Sequence, residues 1–306
     1  MKTFMIKAAL LIALNGLIGL GILAAIDARR SYAQWETDSI LYVIPRKAAF
    51  DFVTLGTSRA RIFSEFKGNH DFAVRELNAN FLNLAIPFGG GIRPEKMFLE
   101  YFFDRGNQPK AVVLFLDPFM LFAEDFNKYH RFVYYEPFRF RFLLKLFQND
   151  VPIQRIITYV RSKFGYYWFF RESVIKERDP RVAHVTPDEK EMMAKRVESL
   201  YPEGLNEGAF ARYSEDVIAI FKMAQAHQAR MIVIFAPTLL GPEPGAAKVT
   251  AFLETCKRDY PLEFHDLTNA MQDYAYFADH DHLNSNGFEH FVGQYLAPIL
   301  QSERVP

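Results

Sequence analysis

The stretch FVTLGTSRA, residues 52–60, is a short apolar run rich in β-formers that meets a glycine and turns into a helix. Phe52 to Leu55 reads as a strand, and Gly56, Thr57, Ser58, Arg59 and Ala60 as the turn that opens the helix behind it. The same pattern recurs along the chain. Asn83 to Ile86 is an apolar run ending in Pro87, Phe88, Gly89, Gly90 and Gly91. Ala111 to Leu116 is stopped by Asp117 and Pro118, and Met231 to Phe235 by Ala236 and Pro237. Glu263 to Leu267 makes a fifth strand. Helical periodicity falls between them, over Arg93 to Arg105, Ser214 to Gln228 and about Asn286 to Leu300. Near-continuous apolar strands alternating with helices indicate a parallel sheet covered on both faces. In such folds ligands bind beyond the carboxyl ends of the strands. Ser58, the glycines, Asp117, Asp279 and His282 all come after strands, so the fold gathers them on one edge despite their separation in sequence.

The 306 residues, half of them apolar, suffice for one main domain with an insertion. Lys and Arg together number 36, as do Asp and Glu, so the chain has no net field to attract nucleic acid. The single cysteine, Cys256, lies in a helical pattern and excludes both a disulfide framework within the chain and a cysteine-based zinc site. It reads as a small buried helix residue.

Ala8 to Ile26 carries no charge and only Asn15 as a polar residue. That run is long enough to cross a bilayer, which takes about 20 residues, and longer than the ~7–15-residue apolar region of a cleaved signal. Residues 1–30 therefore read as a signal anchor, with cleavage near Ala28 or Ala33 as the alternative. The amino terminus, Lys2 and Lys7 favour an inside N-terminus. A connector over 31–50 and an α/β domain over 51–306 would then lie outside the cytoplasm, in a bacterial periplasm. Phe119 to Gly208 does not fit the strand–helix repeat and reads as a helical insertion. Residues 131–170 hold fourteen aromatics, seven Lys or Arg and two acids, in segments such as FRFRFLLKLF (138–147) and GYYWFFR (165–171). Basic, aromatic, amphipathic segments suit a membrane surface or a partner; the alternative is an insertion with its own aromatic core.

The segment DHDHLNSNG, residues 279–287, supplies the candidate chemistry. A serine nucleophile needs a base, and the base needs a carboxylate to fix its tautomer. Asp279 and His282 could provide both to Ser58. The Ser58 N–H at a helix start, with Gly89 or Gly90, could face a developing oxyanion. Each element has a plainer reading. A Gly-x-Ser turn is commonly a helix cap, and His282-Leu283-Asn284 could be one too. Asp279, His280, Asp281 and His282 could also ligate a metal, although no second ligand cluster accompanies them. His70, His130, His184, His227 and His265 read as structural or surface residues, and His280 and His290 as neighbours of the site. Arg59 either binds an anionic substrate group or pairs with a nearby acid.

These blocks resemble the SGNH (GDSL-like) hydrolases. Gly56-Thr57-Ser58 is similar to that family's nucleophile block, NLAIPFGGG (83–91) to its glycine block, and Asp279 to His282 to its final Asp-x-x-His block. The likeness covers about 50–120 and 210–300 and is strongest to a membrane-anchored branch with LGTSRA- and LDPF-like blocks. Those proteins work beside membrane-bound O-acyltransferases, as in alginate O-acetylation or D-alanine transfer to teichoic acid. The resemblance implies a three-layer α/β/α sandwich around a parallel, flavodoxin-like five-stranded sheet. It further implies a Ser58–His282–Asp279 triad and an oxyanion hole from Ser58 and Gly89 or Gly90. Arg59, Asn83, Asp117 and Asn284 would be substrate-contacting or supporting residues. The expected activity is extracytoplasmic O-acyl transfer or acyl-ester hydrolysis on a cell-envelope glycan, with an acyl donor, a glycan acceptor and a membrane O-acyltransferase as partners and no metal or cofactor. Thr57 replaces the family's usual Asp. Asp117 stands where an oxyanion-hole Asn is expected, and that feeds the alternative of an inactive scaffold binding glycan or a membrane partner.

Overall fold

The computed structural model describes residues 1–28, 32–86, 90–128, 131–164, 176–183, 187–202 and 204–302. Helix α1 (Lys2–Ala28) precedes a short turn of helix, α2 (Ile40–Val43). The sheet is then assembled from β1 (Ala49–Leu55), α3 (Ser58–Glu65), α4 (Lys67–Leu77), β2 (Phe81–Asn83), α5 (Ile92–Asp104) and β3 (Gln108–Phe115). The insertion contributes α6 (Phe119–Phe122), α7 (Glu124–Lys128), α8 (Phe140–Gln148), α9 (Ile153–Ser162) and α10 (Pro187–Leu200). The chain closes with α11 (Glu207–Ala226), β4 (Arg230–Phe235), α12 (Ala246–Cys256), β5 (Leu262–Asp266), α13 (Ser285–Phe291) and α14 (Ala297–Gln301). A π-helical turn, Val292–Leu296, joins the last two.

All strand pairings are parallel and the order is β2-β1-β3-β4-β5. This is the flavodoxin-like doubly wound order, whose switch point lies between β1 and β3. Burial keeps the period of two. Val53, Leu55, Val112, Leu114 and Val233 pack under α5, α11 and α12, whereas Phe52, Val113, Phe115, Ile232 and Ile234 pack under α3, α4 and α13. With both faces covered, a central strand has no polar side, which is why 111–116 is an unbroken apolar run.

The second strand begins two residues earlier than the run Asn83 to Ile86 suggested. Leu84 and Ile86 still donate to Thr54 O and Gly56 O, so the pairing runs on past the strand proper. The connector is packed: Ile40, Leu41 and Ile44 are buried, and the Glu136 carboxylate accepts from Ser39 Oγ and from the N–H groups of Ile40 and Leu41. Nor does the described part of the insertion have a core of its own. Phe119, Phe122, Phe132, Phe142, Leu146 and Tyr159 join the sheet's α5 face, and the Phe142 ring sits 5.2 Å from Phe98. The GYYWFFR segment lies outside the described residues. Cys256 is buried at the end of α12.

Candidate active site

Beyond the carboxyl end of β1 the backbone turns at Gly56, whose φ of 147° is unfavourable for any residue with a Cβ. A Cβ there would also come within 2.9 Å of Ala60 and Phe115. Thr57 caps α3, its side chain accepting from Arg59 N–H. Ser58 is thereby the first helical residue, its N–H among those the helix leaves unpaired. Beyond the carboxyl end of β5, the loop after Phe277 returns a histidine to it: Ser58 Oγ and His282 Nε2 are 2.8 Å apart. His282 Nδ1 lies 2.9 Å from Asp279 Oδ1, which also accepts the N–H groups of Asp281 and His282. Asp279 thus holds both the imidazole and the loop that carries it.

That loop is braced from below. Asn284 caps α13 through Gly287 N–H, and its amide donates to the carbonyls of Arg181, Ala275 and Phe277. Asn284 is buried and supports the loop; it has no face toward a substrate. Residues 176–183 pass alongside, with Asp179 N–H bonded to Ser285 Oγ and Ala183 N–H to Phe277 O. At Gly287 an added Cβ would stand 1.9 Å from Tyr276 O, a backbone atom. Gly287→Ala is therefore expected to cost about 1–3 kcal/mol or more, read as a lower denaturant midpoint, with loss of activity as the histidine loop shifts.

Arg59 does not reach toward a substrate. Its guanidinium is buried and binds Asp117 at 2.9 Å, Glu243 at 2.7 Å and Asp281 at 3.3 Å. Burial alone would lower its pKa, but the three carboxylates reverse this and raise it. Asp117 spends one oxygen on Arg59 and the other on Thr57 Oγ1, which donates at 2.6 Å. Both of its oxygens are thus engaged within the protein. Asn83 is likewise buried and internal: it accepts from Thr54 Oγ1 and donates to Ala60 O and Ser64 Oγ, bracing α3 against β2. Gly90 lies between β2 and α5, buried against Ile86. Gly89 lies outside the described residues.

Two further acids stand at the site: Asp281, which the 279–282 run offered only as a metal ligand, and Glu95, which lies outside the quoted motifs. Asp281 faces the same imidazole nitrogen as Asp279, at 3.3 Å, and is held by Arg59 and by Arg196 of α10. Burial disfavours its ionisation, but His282 and the two guanidiniums keep its pKa below the ordinary carboxylate range. Burial alone would also lower the His282 pKa; Asp279 and Asp281 outweigh it and raise the group to about 9. Glu95, fully buried on α5, accepts from Gly56 N–H and Ile86 N–H and so ties together the ends of β1 and β2. Burial pushes its pKa well above the usual value, against those two N–H groups. Its one signal in the sequence is an acid in register with Ile92, Phe98, Leu99 and Phe102, the apolar stripe of α5.

Asp279, Asp281 and His282 do bring donor atoms within 4.8 Å of one another. However, His282 uses both ring nitrogens on protein partners, and Asp281 is occupied by two arginines. Of the other histidines, His70 packs on Trp35 and Phe81, and His227 stacks on Phe103. His290 stacks on Tyr276, and His280 accepts through its carbonyl from Leu239 N–H. His130 and His184 lie outside the described residues.

The fold and this geometry define a doubly wound α/β protein with a serine, a histidine and an aspartate in one hydrogen-bonded line at the switch point. No protein-family model matches the chain, and no curated protein sequence matches it. Among solved structures it is similar to a provisionally named acylhydrolase from Bacteroides fragilis, with a TM-score of 0.42 and 13% identity over 85% of this chain and 93% of that one. It is also similar to an acetyl xylan esterase from the rumen bacterium Butyrivibrio proteoclasticus, with a TM-score of 0.40 and 10% identity over 85% of this chain. A family two carbohydrate esterase from Cellvibrio japonicus gives a TM-score of 0.35 and 10% identity over 84% of this chain. The chain spans 64% and 62% of those two esterases' lengths. The superpositions are loose and the identities low.

Proposed function

We infer that the chain is a serine-dependent O-acyltransferase or acylesterase of the SGNH type, acting outside the cytoplasm on a cell-envelope polysaccharide and held to the membrane by α1. The observation that carries this reading is the 2.8 Å contact between Ser58 Oγ and His282 Nε2, with Asp279 behind the imidazole. With His282 neutral and its Nδ1–H donated to Asp279, Nε2 is free to take the Ser58 proton as Oγ attacks an acyl carbonyl. The Ser58 N–H and the α3 dipole face the oxyanion that forms. His282 returns the proton to the departing oxygen, and a sugar hydroxyl or water, deprotonated in turn by His282, takes the acyl group from Ser58. α1 is the one helix among the described residues long and apolar enough to cross a membrane, which fits work beside a membrane O-acyltransferase. The scaffold alternative rested on Asp117, and Asp117 is turned away onto Arg59 and Thr57.

The test is p-nitrophenyl acetate hydrolysis by the full chain in detergent, repeated with an acylated glycan donor, together with labelling by a serine-directed phosphonate. Labelling at Ser58 and ester turnover are expected; neither label nor turnover would return the scaffold reading. The acid limb of the pH–rate profile should lie near 9, above the ordinary histidine value, because His282 must lose its proton to act as base. Asp281→Asn removes one of the two carboxylates holding that proton and should move the limb down toward neutrality. A limb unmoved by Asp281→Asn would exclude Asp281 from tuning the base.

A further inference from the structure

Two helices of the insertion are apolar on two sides. In α8, Phe142 and Leu146 point into the core, while Phe140, Leu144 and Phe147 point outward at helical spacings of four and three. Phe140 is 65% exposed. In α9, Ile156 and Tyr159 are buried, while Ile153 and Ile157 face out on a stripe that continues to Phe164 just beyond the helix. Ile157 is 57% exposed. Arg141 and Arg161, both exposed, stand on the flanks of these stripes, and Asp150 is the one acid between Phe140 and Phe164. The two helices pack against each other, and outward apolar stripes with exposed cations beside them are the pattern of helices lying in a bilayer interface.

Two observations say what covers it. First, a Cβ added to Gly19 of α1 would meet Phe164 Cε1 at 3.3 Å, so the end of α9 abuts the apolar helix. Gly19 lies six residues before Ala25, where the membrane-compatible stretch ends. At 1.5 Å per residue that is about 9 Å below the surface, within the ~5–10 Å depth at which interfacial helices rest. Second, the domain cannot drift away. Gln34 is bonded to Phe81 O and Asn83 N–H of β2, and the six residues from Ala28 to Gln34 span at most ~20 Å.

The geometry points to the α8–α9 face as a second membrane contact: Phe140, Leu144, Phe147, Ile153, Ile157 and Phe164 enter the leaflet from which α1 emerges. Arg141 and Arg161 then meet lipid phosphates. This rests on α1 crossing the bilayer and is independent of the esterase chemistry.

The test uses the full chain in lipid nanodiscs, with Cys256→Ala leaving one introduced thiol for a fluorophore at Leu144→Cys, Ile157→Cys, Leu14→Cys or Glu254→Cys. Leu14 reports α1 itself, and Glu254, exposed on α12, reports water. Lipids spin-labelled near the headgroup should quench Leu144→Cys and Ile157→Cys on the order of threefold more than Glu254→Cys, as expected for shallow insertion. Quenching at Leu14→Cys alone would overturn the second contact while leaving the anchor standing. Leu14 lies at the centre of α1, so it is read with lipids spin-labelled deep in the acyl chain, and absence of their quenching at Leu14→Cys would overturn the anchor and the contact together. Labels that are shielded in native membranes but not in pure lipid would show a protein covering this face, which also overturns it.

Discussion

Ser58→Ala and His282→Ala are each expected to lower kcat for ester hydrolysis by about 10⁴-fold or more, with the double variant no worse than either single one. Ser58 Oγ is bonded to the imidazole, and the imidazole uses its other nitrogen on Asp279, so the three groups act in series. Removing Oγ abolishes the acyl-enzyme route; removing the imidazole leaves a hydroxyl with no base within reach. Since either loss breaks the same step, the two effects do not add. Neither change should unfold the chain. Ser58 is half-buried at a helix start that tolerates alanine, and the His282 side chain is a quarter exposed. Asp279 is a poorer probe, because it also accepts the Asp281 and His282 N–H groups and its loss disturbs the loop itself. Hydrolysis by Ser58→Ala within tenfold of the parent would mean that another group is the nucleophile.

The legibility of each feature in the sequence depends on the range over which it is encoded. The sheet is legible because strands buried on both faces must be apolar throughout, as 111–116 and 231–235 are. The strand at 81–83 is easily misplaced because Asn83, although polar, is buried and fully bonded to Thr54, Ala60 and Ser64. The positions of Ser58, Asp279 and His282 are legible because the carboxyl edge of the sheet collects the loop residues at the end of each strand. Their surroundings are not. The partners of Arg59 come from Asp117, Glu243 and Asp281, and no local pattern links a loop acid near 243 to an arginine at 59. The packing of the connector is hidden for the same reason: Glu136, far along the chain, fastens it to the domain.

Arg59 carries the largest expected effect on stability. Arg59→Met keeps most of the side chain's length and removes its charge, leaving Asp117, Glu243 and Asp281 buried around an apolar group. Breaking a buried ionic cluster by deleting one partner costs about 3–5 kcal/mol, because the remaining charges stay desolvated without compensation. The loss should be at the upper end here. One guanidinium serves three carboxylates, and among the described residues only Asp281 of the three is ion-paired to a second arginine, Arg196. Glu243 already has its pKa raised by burial against the pull of Arg59, so without Arg59 it should take up a proton and drop the Tyr201 bond to its charged form. Arg59→Lys should rescue little, since a single ammonium cannot reproduce the planar fork that meets Asp117, Glu243 and Asp281 at once. The measurement is a denaturant midpoint for the parent, both variants and Arg59→Met with Glu243→Gln. The last should recover part of the loss, because a neutral glutamine removes the cost of protonating Glu243 and its amide oxygen can still accept from Tyr201. Activity separates this from a purely structural role: with Arg59 gone, Asp281 loses one of the cations that fix it beside His282, and the acid limb of the pH–rate profile should shift in whatever fraction remains folded. If Arg59→Met were as stable as the parent with an unchanged limb, the cluster would be ornamental to both fold and base. If stability fell while the limb stayed put, the cluster would hold the strand ends together without reaching the histidine.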